Sequence, residues 1–265
     1  MRLISYAGGF GRLHDDDPGL LVPMGRDLVA YLAGEEAVVD RAPVPVDSLQ
    51  LTAPVPRPGK IICVGLNYRD HAKETGKPIP EEPVLFAKFA NSVVPDGAEV
   101  PIPEVTREVD WEAELGVVIG RTARRVSASD ALDHVAGYTC MNDLSARDLQ
   151  RRGGQWTRGK AIDGFLPMGP HLVTADEVAD PQGLRISCSV NGDVVQDSST
   201  AEMVFGVAEL VSILSQTITL EPGDCIATGT PPGVGMAMSP PRFLGPGDDV
   251  VVEIQGVGRL ETRMV

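Results

Sequence analysis

Residues 109–120 read VDWEAELGVVIG. Side chains two apart on an extended strand point to the same face. Glu112 and Glu114 therefore stand side by side with Asp110 just before them, while Trp111, Ala113 and Leu115 take the other face. Two carboxylates held together repel each other unless a cation lies between them. An edge strand with a solvated acidic face would remove the conflict. The run LGVVIG at 115–120 argues against that, because it carries the strand on into an apolar environment. The stretch reads as a buried strand whose entrance needs a positive charge.

A third acid, Asp143 in CMNDLSARD, lies where an apolar strand stops and a helix begins. An Asp there is also an ordinary helix cap. Three carboxylates at strand ends suit a hard cation such as Mg²⁺ or Mn²⁺, with water or substrate completing the octahedron.

The chain has 265 residues, 43% of them apolar, enough for one large domain or a large domain with a small companion. Its 29 Gly and 22 Pro point to many turns and short strands. The net charge of −14 speaks against nucleic acid as a partner, since phosphate binding needs a basic surface. Cys63, Cys140, Cys188 and Cys225 are far apart and lie in or beside apolar runs, so they read as buried free thiols rather than a zinc site or disulfide framework. A reducing compartment fits. The N-terminus lacks the apolar core of a signal peptide, and no apolar run approaches the roughly 18 residues of a membrane span. The expectation is a soluble, cytoplasmic protein with no membrane partner.

Along the chain, MRLISYA reads as a strand and GRDLVAYLAGEEA as a short helix, followed by an extended connector with four prolines in residues 44–59. KIICVGLNY and PVLFAKF read as strands. Between them HAKETGKPIPEEP has no apolar face and reads as a mobile surface loop. SASDALDHV suits a helix start. GYTCMNDLSARDLQRRG runs from strand to helix, and AELVSILSQ reads as a helix. LRISCSVNGDVVQDSST reads as a hairpin turning at Asn191-Gly192, and the last nineteen residues, GDDVVVEIQGVGRLETRMV, as a terminal hairpin. The class is α+β with a β-rich core.

Five stretches occur in order: VGLNYRDHAKE, EAELGVVIG, NDLSARDLQ, GGQWTRGKAIDGFLPMGP and TGTPPGVG. Together they resemble the fumarylacetoacetate hydrolase family over about residues 55–265. The resemblance implies that family's mixed β-sandwich roll over 56–265, with a small N-terminal α/β domain over 1–55, in a homodimer. It implies a metal site at Glu112, Glu114 and Asp143 for Mg²⁺, with Mn²⁺ or Ca²⁺ as substitutes. His71 and Glu74 match the lid pair that activates water, and Lys160 the lysine that faces an enolate or carboxylate. Thr230 matches a residue that binds the substrate carboxylate, and Lys88 a further lysine near the substrate. Arg147, Arg151, Arg152 and Arg158 read either as a cationic rim for an acidic substrate or as a solvated helix face. The glycines of TGTPPGVG can form an anion nest but lack the Gly-Lys-Ser/Thr ending of a P-loop. One departure is Ile162, where many members carry an aromatic.

The implied activity is Mg²⁺-dependent cleavage of a C–C bond in acylpyruvate-type 2,4-dioxo acids through an enolate. A chelated cation polarises the 2-oxo acid, and Lys160 stabilises the developing charge. Glu74, three residues after His71, orients the imidazole and raises its basicity. Within the family, GGQWTRGK and the stretch after TGTPPGVG look most like members acting on 2,4-dioxo sugar acids such as 2,4-didehydro-3-deoxy-rhamnonate, and like those labelled ureidoglycolate lyase. The alternatives are an oxaloacetate decarboxylase or a 2-hydroxyhepta-2,4-diene-1,7-dioate isomerase, which share the enolate half of the reaction. A non-catalytic binder of metal and oxo acids is a fourth reading.

Overall fold

The computed structural model describes residues 1–38 and 41–265. Its strands, in chain order, are β1 (Arg2–Tyr6), β2 (Gly9–Leu13), β3 (Leu20–Gly25), β4 (Val44–Pro45), β5 (Ile61–Gly65) and β6 (Val84–Lys88). There follow β7 (Val93–Val94), β8 (Ala98–Val100), β9 (Val109–Asp110), β10 (Ala113–Ile119), β11 (Val135–Asn142) and β12 (Ser145–Ala146). The last six are β13 (Leu166–Thr174), β14 (Arg185–Val190), β15 (Asp193–Ser199), β16 (Cys225–Ala227), β17 (Asp249–Ile254) and β18 (Gly258–Met264). The helices are α1 (Leu28–Leu32), α2 (Arg69–Thr75), α3 (Arg147–Gln150), α4 (Thr157–Lys160) and α5 (Val207–Thr217).

An 11-stranded sheet runs β4-β3-β2-β1-β13-β11-β10-β16-β5-β6, with β7 added against β13. A second sheet of five strands runs β15-β14-β17-β18-β8. Strand β10 is central, not an edge. It pairs antiparallel with β11 and β16 and is buried along its whole length. Its alternation separates two cores. Ala113, Leu115, Val117 and Ile119 join a cluster with Ile186, Cys188, Val250 and Val252 of the second sheet and Leu210 and Leu214 of α5. Val118 faces the opposite cluster, with Leu3, Phe10 and Leu28 from the N-terminal strands and α1. Strands β1–β4 thus extend the large sheet, through β1 against β13, and residues of β1–β3 and α1 share its apolar packing. All four cysteines are buried and free. No helix among the described residues is long and apolar enough to cross a membrane.

Two stretches differ from their sequence reading. The polar segment from His71 is not a loop at its start: residues 69–75 form α2, closed by Gly76 at φ 64°. Only Ala72 of this helix is buried. Polar tethers hold it instead, with Arg69 donating to the Met203 carbonyl (2.5 Å) and Ser198 Oγ donating to Asp70 (2.6 Å). A helix fixed by hydrogen bonds rather than an apolar stripe leaves no periodicity to read. The stretch SASDALDHV forms only a 3₁₀ turn, Ala131–His134. The β14–β15 hairpin turns where expected, with Asn191 and Gly192 both at positive φ (55° and 86°).

Gly137 lies on β11 opposite Thr174 of β13, and a Cβ there would lie 2.0 Å from the Val173 carbonyl oxygen. Gly137→Ala is expected to cost about 1–3 kcal/mol of stability, read as a lower midpoint in chemical denaturation. An unchanged midpoint would show that β11 and β13 are not packed this closely.

Candidate active site

The β10–β11 register builds the site. Ala113 pairs with Asn142, and the Asp143 N–H donates to the Glu112 carbonyl (2.9 Å). This brings Glu112, Glu114 and Asp143 together, with one carboxylate oxygen from each lying within 4.8 Å of the others. Glu112 itself lies one residue before β10, held by its N–H donating to Asn142 Oδ1 (3.1 Å).

Buried cations surround the acids unequally. Lys160 Nζ bridges Glu112 (2.7 Å) and Asp143 (2.6 Å). Arg147 bridges Asp110 (2.8 Å) and Glu112 (2.7 Å), so it is a buried brace, not part of an exposed rim. Lys88, grouped in the sequence with the substrate-facing lysines, turns away from the cavity. It is buried behind Asp143 (2.7 Å) and donates to the carbonyls of Leu144, Phe165 and Lys160, which occupies its donors. Four buried carboxylates (Asp110, Glu112, Glu114 and Asp143) thus face three buried cations. Among the described residues Glu114 has no cation in contact and only the Gly229 N–H (2.8 Å) as a donor.

The protonation pattern follows. Burial alone would raise Glu112, but the Lys160 and Arg147 charges outweigh it and hold the carboxyl far below its ordinary range. Burial, with Asp143 and Glu112 close by, pushes Glu114 well up. Burial works to lower Lys160, yet Asp143 and Glu112 raise it overall. Burial wins at Lys88, which is lowered despite Asp143. An all-oxygen donor set with one uncompensated negative charge fits a hard divalent cation.

Glu112, Glu114 and Lys160 line a cavity of about 400 Å³, together with His71, Thr230, Arg147 and Gln150. Phe86 and Trp156, in edge contact at 5.3 Å, form one wall, and Lys160 Nζ lies 4.9 Å from the Phe86 ring centre. Gly65 makes room for this wall, since a Cβ there would come 2.6 Å from the Trp156 ring. On the other side, His71 Nδ1 meets Glu74 Oε2 at 2.9 Å, and Glu74 Oε1 accepts from the Gly233 N–H at 2.9 Å. The Glu74 carboxylate therefore holds both the imidazole and helix α2. A larger groove of about 680 Å³ runs past His171 and Arg259, away from the acid cluster.

The cavity thus gathers His71, Glu112, Glu114, Lys160 and Thr230, with Glu74 behind His71 and Asp143 behind Lys160. Gln150, whose Oε1 accepts from Arg147 (3.1 Å), and Gln196, which reaches Thr230, carried no sequence signal, because a single amide in a polar segment looks like any surface glutamine.

Glu114 binds its proton more tightly in the folded metal-free protein than in the unfolded chain. Its contribution to stability therefore falls as pH rises from the ordinary carboxylate range through the raised value. Glu114→Gln is expected to raise the metal-free melting temperature at neutral pH and to abolish the gain that Mg²⁺ gives the wild type. A variant that melts lower, or still gains from Mg²⁺, would contradict the charge pattern.

Residues 60–265 match the family described as fumarylacetoacetate (FAA) hydrolase C-terminal. The human protein "Oxaloacetate tautomerase FAHD2A, mitochondrial" is 47% identical over 265 residues, covering 97% of this chain and 84% of its own length. The 2-hydroxyhepta-2,4-diene-1,7-dioate isomerase of Mycobacterium marinum superposes with a TM-score of 0.84 at 35% identity, covering 100% of this chain and 98% of its own. The fumarylacetoacetate hydrolase of Exiguobacterium antarcticum does so with a TM-score of 0.86 at 36% identity, covering 100% and 99%. The carboxylate cluster, the β-rich architecture and these likenesses agree, and the chain belongs to the fumarylacetoacetate hydrolase family.

Proposed function

We propose that this enzyme moves a proton between carbon and oxygen in a small 2-oxo dicarboxylate of the oxaloacetate type, as a keto–enol tautomerase or isomerase. The observation that carries the reading is the His71–Glu74 pair, on a lid helix, sharing one cavity with the acid cluster and Lys160. The human relative's name supports the tautomerase reading, and the Mycobacterium marinum protein's name supports the related isomerase chemistry. C–C bond hydrolysis, the first expectation from the sequence, becomes the second reading.

Glu112, Glu114 and Asp143 would hold a divalent cation, which would supply Lewis acidity for a keto oxygen. The remaining work falls to the chain's own residues. The Glu74 carboxylate can only accept, so His71 Nδ1–H donates to it, which fixes that tautomer and leaves Nε2 as the base. In the keto-to-enol direction Nε2 removes a proton from the carbon next to the keto group, the C–H electron pair becomes the C=C bond, and the imidazolium gives that proton to the former keto oxygen; the enol-to-keto direction runs the same transfers in reverse. Glu74 stabilises the imidazolium in between. The Lys160 ammonium, already drawn into the acid cluster, places positive charge where the enolate oxygen develops. Thr230 binds the substrate carboxylate. Helix α2, clasped through Glu74 to Gly233, keeps bulk water out.

The second reading, hydrolysis of acylpyruvate-type 2,4-dioxo acids, is favoured by the same pair, because Nε2 can equally take a proton from water. The Exiguobacterium antarcticum likeness supports it.

With Mg²⁺ present, the wild type is expected to speed loss of the oxaloacetate enol ultraviolet band without releasing CO₂. His71→Ala should lower kcat about 10²–10⁴-fold. Release of CO₂ would instead make the enzyme a decarboxylase. Pyruvate from acetylpyruvate, with the oxaloacetate enol untouched, would make it a hydrolase.

A further inference from the structure

The Thr230 hydroxyl can serve a substrate carboxylate only if its proton points into the cavity, and a threonine rotor does not choose that direction by itself. Gln196 makes the choice. This residue of β15 belongs to the second sheet, is 1% exposed, and reaches across to the start of β10 and to the loop after β16. Its Oε1 accepts from the Ala113 N–H at 3.0 Å. Its Nε2 donates to the Pro231 carbonyl at 2.8 Å and to Thr230 Oγ1 at 2.9 Å.

These bonds leave the amide one orientation. Flipped, its oxygen would face the Pro231 carbonyl and its NH₂ the Ala113 N–H, so that two acceptors and two donors would oppose each other. In the observed orientation an N–H points at Thr230 Oγ1, which must accept there. The hydroxyl proton is then directed elsewhere. Among the described residues Thr230 Oγ1 donates to no protein acceptor, and Thr230 lines the cavity beside Glu112, Glu114 and Lys160. The packing is tight on this side as well: Gly233 has φ +100°, and a Cβ on it would lie 1.9 Å from the Val195 carbonyl oxygen.

We propose that Gln196 is a positioning residue that fixes the Thr230 hydroxyl as a donor toward a substrate carboxylate. Gln196 touches no substrate. It acts through Thr230, and it ties the second sheet to the floor of the site. The proposal rests on the reading that Thr230 binds that carboxylate, and the test separates the two.

The probe is oxalate, titrated calorimetrically into the Mg²⁺-loaded protein, for wild type, Thr230→Val, Gln196→Met and the double variant. Thr230→Val should weaken oxalate roughly tenfold to a hundredfold, the range for a lost hydrogen bond to a charged group. Gln196→Met should weaken it by a comparable factor. In the Thr230→Val background it should have at least a tenfold smaller effect, because there is no hydroxyl left to orient. Should Gln196→Met fail to fold, Gln196→Glu completes the same cycle: it keeps an acceptor for the Ala113 N–H, and its added charge acts in both backgrounds and cancels. Equal effects of the Gln196 change with and without the hydroxyl would overturn the proposal, since a merely structural role is indifferent to it. Unchanged oxalate affinity in Thr230→Val would overturn the carboxylate reading, and the proposal with it.

Discussion

The site is organised around one buried negative charge that the protein leaves without a partner. Arg147 and Lys160 satisfy Glu112, Lys88 and Lys160 satisfy Asp143, and Arg147 satisfies Asp110. Glu114 receives a single backbone N–H. A buried carboxylate without a cation is costly, and here the deficit faces a cavity rather than the core. A divalent cation beside Glu114 would remove that cost. The paired acids Asp143 and Glu112 hold Lys160 in its charged form at the edge of the cavity.

Holding that imbalance requires rigid surroundings. The antiparallel pairing of β10 with β11 sets the spacing of the three acids, and burial on both faces of β10 keeps the register from slipping. The second sheet contributes more than apolar cover, since Gln196 crosses from it to Ala113, Thr230 and Pro231. Helix α2, which carries His71 and Glu74, is held mainly by polar contacts. Such contacts can be exchanged with water at low net cost, which suits the lid that the proposed function asks of it.

The legible part of this design was the part written in patterns. The VDWEAELGVVIG stretch carries strand period, burial and the acid pair in twelve residues. Asp143 was legible because an apolar strand ends there. The Asn191-Gly192 turn and the C-terminal hairpin followed from turn chemistry and alternation. Helix α2 was not legible, because its fixing partners, Ser198 and Met203, lie more than a hundred residues away. The inward turn of Lys88 was hidden for the same reason, its acceptors being supplied by Leu144, Lys160 and Phe165. Arg147 looked like one of four arginines on a helix face, and only the fold shows that it alone reaches Asp110 and Glu112. Long-range polar contacts leave no local trace in a sequence, whereas apolar periodicity does.

The most direct measurement is an anomalous difference map from crystals grown with Mn²⁺ and oxalate. The account predicts one strong peak within bonding distance of carboxylate oxygens of Glu112, Glu114 and Asp143, with oxalate completing the coordination on the side of His71. A peak elsewhere, or oxalate bound with no ion beside Glu114, would contradict it.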